Sequence, residues 1–224
     1  MRCSFALTFL VAVAPTTLFA APTPMEKRAP GSEVCDISKA VVPQAPTPLP
    51  APTGTLAYVA IGRGTQNYTC AATPNSSEGS PKAIGAMATL YNATCTAVQA
   101  PMVLNDTPAI ALKTPPTIGV PVEKESTDGP VSGHHYFNAA GSPVFETEYG
   151  WVQAKGFANS TAPATADKGK NGLGSVAWLK LLGTAGDWKE VYRVDTAGGV
   201  APKTCANIEG TFEVEYAAVY WFYA

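Results

Sequence analysis

Charge is scarce in this chain. Asp, Glu, Lys and Arg make up 14% of its 224 residues, against about 25% in an ordinary globular domain. No basic stripe interrupts the sequence, which excludes the electrostatic footprint of a nucleic-acid binder and the polybasic patch of a membrane-surface protein. Histidine occurs twice, at the adjacent positions His134 and His135. Neighbours on a strand point to opposite faces, so the two cannot easily share one metal ion. The cysteines lack metal-ligand spacing, and neither metal nor cofactor is expected. The apolar run Phe5–Ala14 is too short to span a bilayer and stops at Pro15. No amphipathic helix longer than two turns is apparent.

What is present begins with a secretory leader. Arg2 supplies the positive end, Phe5–Ala14 the apolar segment, and Ala20 and Ala21 the small residues of a cleavage point. Residues 1–20 read as a signal peptide and 21–28 as a short pro-segment ending in the dibasic pair Lys27-Arg28, so the mature chain is expected to start at Ala29 and to work outside the cell or in its wall. Loss of the leader removes Arg2, Lys27, Arg28 and Glu26, three positive charges and one negative, and takes the formal charge from −2 to −4. It also removes Cys3 and leaves Cys35, Cys70, Cys95 and Cys205. Four cysteines in an oxidising compartment favour two disulfides, with three pairings open; Cys35–Cys205 with Cys70–Cys95 is the preferred one. Sequons at Asn67, Asn75, Asn92, Asn105 and Asn159 are glycosylation candidates, Asn67 and Asn92 less so because they fall inside expected strands.

Proline and glycine, 20 of each, punctuate the rest. Pro43, Pro46, Pro48, Pro50 and Pro52 make residues 29–53 an extended arm that cannot join a central strand; a pinned arm is expected rather than a free linker, since Cys35 anchors it. Residues 54–224 read as one β-domain. Thr55–Ile61 and Gln66–Ala72 flank a turn at Gly62-Arg63-Gly64. Ile84–Tyr91 follows, then a hairpin of His134–Phe137 and Pro143–Glu146 across Asn138–Ser142. Gly150–Phe157, Ser175–Leu182 and Val191–Thr196 are further strands, and Ala158–Gly174 reads as a mobile loop. In Thr211–Tyr223 the residues Phe212, Val214, Tyr216, Ala218, Tyr220 and Phe222 share one face. Glu213, Glu215, Ala217, Val219, Trp221 and Tyr223 share the other, which begins polar and ends aromatic. Many short strands without long helices define an all-β fold class, a single antiparallel sandwich or barrel.

Several blocks occur together in order: Gly62–Cys70, His135-Tyr136-Phe137, Ser175–Lys180, Val191–Val194 before Gly198-Gly199, and Val214–Tyr223. They resemble the secreted, mostly fungal proteins grouped as domain of unknown function 3455, from about Leu49 to Tyr223. The resemblance implies a single secreted β-rich domain and supplies no activity. Members of that group are often labelled malate dehydrogenase. Hydride transfer of that kind needs a Gly-x-Gly-x-x-Gly turn between a strand and a helix. Gly62-Arg63-Gly64-Thr65-Gln66-Asn67 lacks the third glycine and leads into a strand, so the label is not supported.

Two sets of residues compete for function. Trp178 with Lys180, Trp221 with Tyr223, and Tyr68 with Gln66 pair aromatic platforms with polar groups, as sugar rings require; His135 joins them. A core role competes for both tryptophans, more strongly for Trp178. The leading reading is a non-catalytic domain binding cell-wall carbohydrate or an extracellular protein. The alternative is an enzyme acting on polysaccharide through Glu146, Glu148, Glu213 and Glu215. Glu213 and Glu215 lie about 6–7 Å apart on one strand, between the separations of retaining and inverting glycosidases, with Glu146 and Glu148 as an opposite wall. A third reading is an effector that binds a host component. No serine sits on a nucleophile elbow.

Overall fold

A computed structural model describes residues 35–71, 79–114 and 131–224. The leader, the processing site and Asn75 lie outside them. Eight strands form a closed barrel in which neighbours are antiparallel and follow chain order, the last closing on the first. They are β1 (Leu56–Cys70), β2 (Lys82–Asn92), β3 (Val131–Phe137), β4 (Pro143–Thr147), β5 (Gly150–Ser160), β6 (Trp178–Gly186), β7 (Glu190–Gly198) and β8 (Gly210–Tyr223). The expected all-β antiparallel fold is present, and of the two forms expected, sandwich or barrel, it is the barrel. Two helices, α1 (Thr96–Gln99) and α2 (Pro101–Lys113), follow β2.

The β8 alternation sorts inside from outside. Tyr216, Ala218, Tyr220 and Phe222 enter the interior core with Tyr58, Leu90, Phe145, Val152 and Val191. Val219, Trp221 and Tyr223 belong to a second cluster outside the barrel wall, with Val59, Trp178, Tyr192 and Val194. That outer cluster is roofed by the proline-rich arm and α1, through Ala45 and Ala97. Prolines keep the arm from pairing as a strand, so side chains meet its backbone instead. The Thr47 amide donates to Ser160 Oγ (2.9 Å), Tyr192 to the Pro50 carbonyl (2.6 Å) and Lys180 Nζ to the Ala51 carbonyl (2.9 Å).

Several expectations change. Gly62-Arg63-Gly64 is not a turn but the middle of the unbroken β1. Its glycines mark close approach: a Cβ on Gly62 would lie 2.6 Å from the Tyr220 ring, and one on Gly64 only 1.8 Å from the Met87 carbonyl. A helix of more than two turns exists after all, the 13-residue α2, which contains Pro108. Leu104, Pro108 and Leu112 are its buried residues, an i, i+4, i+8 stripe in which proline masks the helical period. Leu112 packs on Ala197 and Ala217. β5 runs on to Ser160, so Ala158–Ser160 are strand. The loop behind it is held by Asp167, whose carbonyl accepts from the Ser175 hydroxyl and the Gly198 amide (2.6 and 2.9 Å) and whose carboxylate meets Lys113 (3.1 Å).

The two disulfides pair otherwise than expected: Cys35 with Cys95 and Cys70 with Cys205. The reason is strand polarity. Cys70 closes β1 at one end of the barrel, and β2 runs back so that Cys95 emerges at the other. β1 and β8 pair Cys70 opposite Gly210, which brings Cys205 close.

Candidate functional site: the uncovered face of strands β3 to β5

Trp178, Lys180, Trp221 and Tyr223 share outward faces as expected but are buried, at 3%, 2%, 2% and 5% exposure. The arm lies over them, so they form no exposed platform. Lys180 pairs with Glu190 at 2.7 Å, and Glu190 also accepts from the Thr53 amide and hydroxyl at 2.9 and 3.1 Å. Burial opposes both charges; hydrogen bonds outweigh it, holding the Lys180 ammonium above and the Glu190 carboxyl below its ordinary pKa. Gln66, Tyr68 and His135 are buried too; His135 and Tyr68 pack against other rings.

The four glutamates do not face one another. Glu213 and Glu215 stand on β8 and Glu146 on β4, four strands apart either way round the eight-strand ring. Glu215 is paired with Lys170 at 2.6 Å, and Glu148 lies in the turn between β4 and β5, where its amide donates to the Ser132 carbonyl. No opposite wall forms, and the cleft the polysaccharide-enzyme reading requires is not built from these residues.

A different face is open. The register places His134 beside Glu146 and Glu146 beside Trp151, a lateral row across β3, β4 and β5. Directly paired side chains in such a row stand about 4.5–5.5 Å apart. Trp151 is 44% exposed, whereas Trp178, Trp188 and Trp221 are buried. Its amide donates to Asp187 Oδ2 (2.9 Å) and its carbonyl accepts from the Asp187 amide (2.8 Å), so the platform is held from behind. Two residues along β5, on the same side, Gln153 accepts from Asn138 Nδ2 at 3.1 Å. Tyr136 donates its hydroxyl to Glu146 Oε1 at 2.8 Å, and that acceptor holds the phenol's pKa above its ordinary value.

Chemically this face offers an indole plane, a phenol, an imidazole, a carboxylate and an amide, and none of the described elements covers it. The sequence reading missed Trp151 and Tyr136. Their signal was hairpin register: the Asn138–Ser142 turn aligns His134 with Glu146, and the Glu148–Tyr149 turn aligns Glu146 with Trp151. Of the sequons, Asn105 and Asn159 are exposed. Asn67 accepts from the Thr65 hydroxyl, while Asn92 donates to the Tyr149 hydroxyl and accepts from the Thr94 amide. Among the described residues no three His, Cys, Asp or Glu are placed to hold a metal ion, and no helix is long and apolar enough to cross a membrane.

Fold and face together define a disulfide-linked antiparallel β-barrel domain with one roofed and one open wall. The chain belongs to the family described as protein of unknown function (DUF3455), whose model matches residues 50–224. No curated protein and no solved structure matches it.

Proposed function

We propose that this protein is a secreted, non-catalytic binding domain that takes wall or matrix carbohydrate on the outer face of β3–β5. The observation that carries the reading is Trp151, exposed and aligned with Glu146 and His134, with Tyr136 bonded to the same carboxylate. Sugar rings present apolar C–H faces that stack on an indole, and hydroxyls that need carboxylate and amide partners. Two disulfides and exposed sequons at Asn105 and Asn159 suit an extracellular setting. The dispersion of the four glutamates around the barrel favours binding over hydrolysis.

The test incubates the purified protein with insoluble chitin, β-glucan and cellulose, measuring bound protein and released sugar from the same tubes. Saturable binding to one of them without sugar release, weakened about tenfold or more in Trp151→Ala, is the expected result. Binding to none, or binding indifferent to Trp151→Ala, rejects the reading. Soluble sugar that disappears in Glu146→Gln would replace it with an enzyme.

A further inference from the structure

The barrel interior has two unlike ends. Toward one, Tyr58, Tyr149, Trp188 and Phe222 pack ring against ring, with centroids 4.5 to 6.0 Å apart. Toward the other, β1 contributes Gln66 and Tyr68, β3 His135, β7 Arg193, and β8 Tyr216 and Tyr220. Tyr216 and Tyr220 share a hydrogen bond at 2.8 Å, and Tyr68 donates to the Gly199 carbonyl at 2.7 Å. His135 Nδ1 bonds the Val144 carbonyl at 2.9 Å, and burial keeps the ring neutral, its pKa lowered to about 4.

Two groups in this set are left unsatisfied. Arg193 lies inward, two residues on from the core residue Val191. It uses Nε and Nη2 on one acceptor, the Ala177 carbonyl, at 3.2 and 2.8 Å. It enters no ion pair among the described residues, and its charge is felt by His135, Tyr68, Tyr216 and Tyr220. Gln66 is 8% exposed, and among the described residues its Nε2 finds no acceptor in hydrogen-bond geometry, although its side chain lies near the Tyr216 hydroxyl. A half-buried cation without a counter-charge and a buried donor without a well-placed acceptor are both unfavourable. Groups of that kind call for an explanation of their own.

This end of the barrel is not fully sealed. Arg193, Leu179 and Phe137 face the interior but are only partly buried. An eight-stranded barrel has room for packed side chains or for one small ligand. The polar end carries one positive charge, surplus N–H donors and a lining of neutral phenols and imidazole. A monoanion matches that charge, a dianion exceeds it, and a neutral molecule leaves the guanidinium uncompensated. The planar guanidinium suits a carboxylate, which it can grip with two parallel bonds.

We propose that this end of the barrel binds one small organic monocarboxylate, its carboxylate on Arg193 and Gln66 Nε2 and its apolar body against Phe137, Leu179 and Phe145. The inference is independent of the outer-face reading, and so is its test. Benzoate, benzamide and benzylamine are titrated into the disulfide-intact protein by calorimetry, with the melting temperature followed in parallel. Benzoate saturates a single site and raises the melting temperature; benzamide binds about tenfold or more weaker, and benzylamine not at all. Arg193→Gln loses benzoate by a similar factor, and Arg193→Lys restores part of it. Gln66→Glu sets a carboxylate at the same end of the barrel in nearly the same volume and repels benzoate, so the answer does not depend on Arg193→Gln folding. Trp151→Ala leaves benzoate binding unchanged. Failure of benzoate to saturate, equal affinity for benzamide, or a Gln66→Glu variant that binds benzoate normally overturns the proposal.

Discussion

One wall of the barrel is roofed and the other is bare, yet both carry aromatic residues on their outer faces. Across β6, β7 and β8, Trp178, Tyr192, Trp221 and Tyr223 vanish beneath the arm. Across β3, β4 and β5, Tyr136 and Trp151 remain open. Aromatic content therefore does not tell the walls apart. The polar residues between the rings do. On the roofed wall Lys180, Glu190 and Tyr192 are spaced to meet the carbonyls and amide of a backbone that cannot pair as a strand. On the bare wall Glu146 accepts from Tyr136 through Oε1 and keeps Oε2 open, and no described segment of the chain settles there.

The largest effect should come from the roof's ionic anchor. Glu190→Gln leaves Lys180 charged and buried without its counter-charge, a loss of about 3–5 kcal/mol. Glu146→Gln on the bare wall is expected to stay within about 0.5 kcal/mol. Urea denaturation of the two variants checks this, and equal costs would erase the distinction between the walls. Limited proteolysis should cut the arm first in Glu190→Gln.

Next comes the same substitution on each wall. Trp178→Ala removes a core side chain and should cost about 3–5 kcal/mol, while Trp151→Ala should leave the melting temperature nearly unchanged and act on ligand binding alone.

Each wall also hides a titrating group, and the two oppose each other. His135, on β3, has its pKa lowered to about 4 by burial. The unfolded chain takes up the proton first, so stability is lost as pH falls from about 6.5 through about 4, on the order of 3 kcal/mol in all. Asp195, on β7, is raised to about 7 by burial and by Asp106 on α2. Its folded form holds the proton longer, so stability is present below about 3.8 and is lost as pH rises through about 7. The wild type should be nearly flat between pH 4 and 7. Asp195→Asn should turn acid-sensitive, and His135→Gln should slope the other way, in melting temperatures taken across that range.

The smallest effect is Tyr136→Phe, which removes a single exposed hydrogen bond. It should leave the urea midpoint nearly unchanged and weaken carbohydrate binding only a few-fold in the pull-down.

The β8 face that runs from Glu213 to Tyr223 foretold more than a strand. Its change from polar to aromatic at Ala217 marks where the roof begins, and burial is continuous from Tyr216 to Tyr223. The Asn138–Ser142 hairpin was equally readable, since a short turn fixes its register. The disulfides were not, because pairing depends on which end of the barrel each cysteine reaches, and that follows from strand direction rather than spacing. Helix α2 hid behind Pro108. The candidate platforms at Trp178 and Trp221 were placed on the correct outward face, but alternation says which side of a sheet a residue takes and not what lies over that side.

The barrel is closed by its most distant partners. β1 pairs with β8 along nearly its whole length, from Leu56 opposite Tyr223 to Cys70 opposite Gly210. A chain emerging from the ribosome cannot close this seam until its last strand is out. Until then β1 has one side unpaired, exposing the kind of edge that recruits other chains. Losing even the last few residues of β8 would leave part of β1 as an open edge rather than give a shorter barrel.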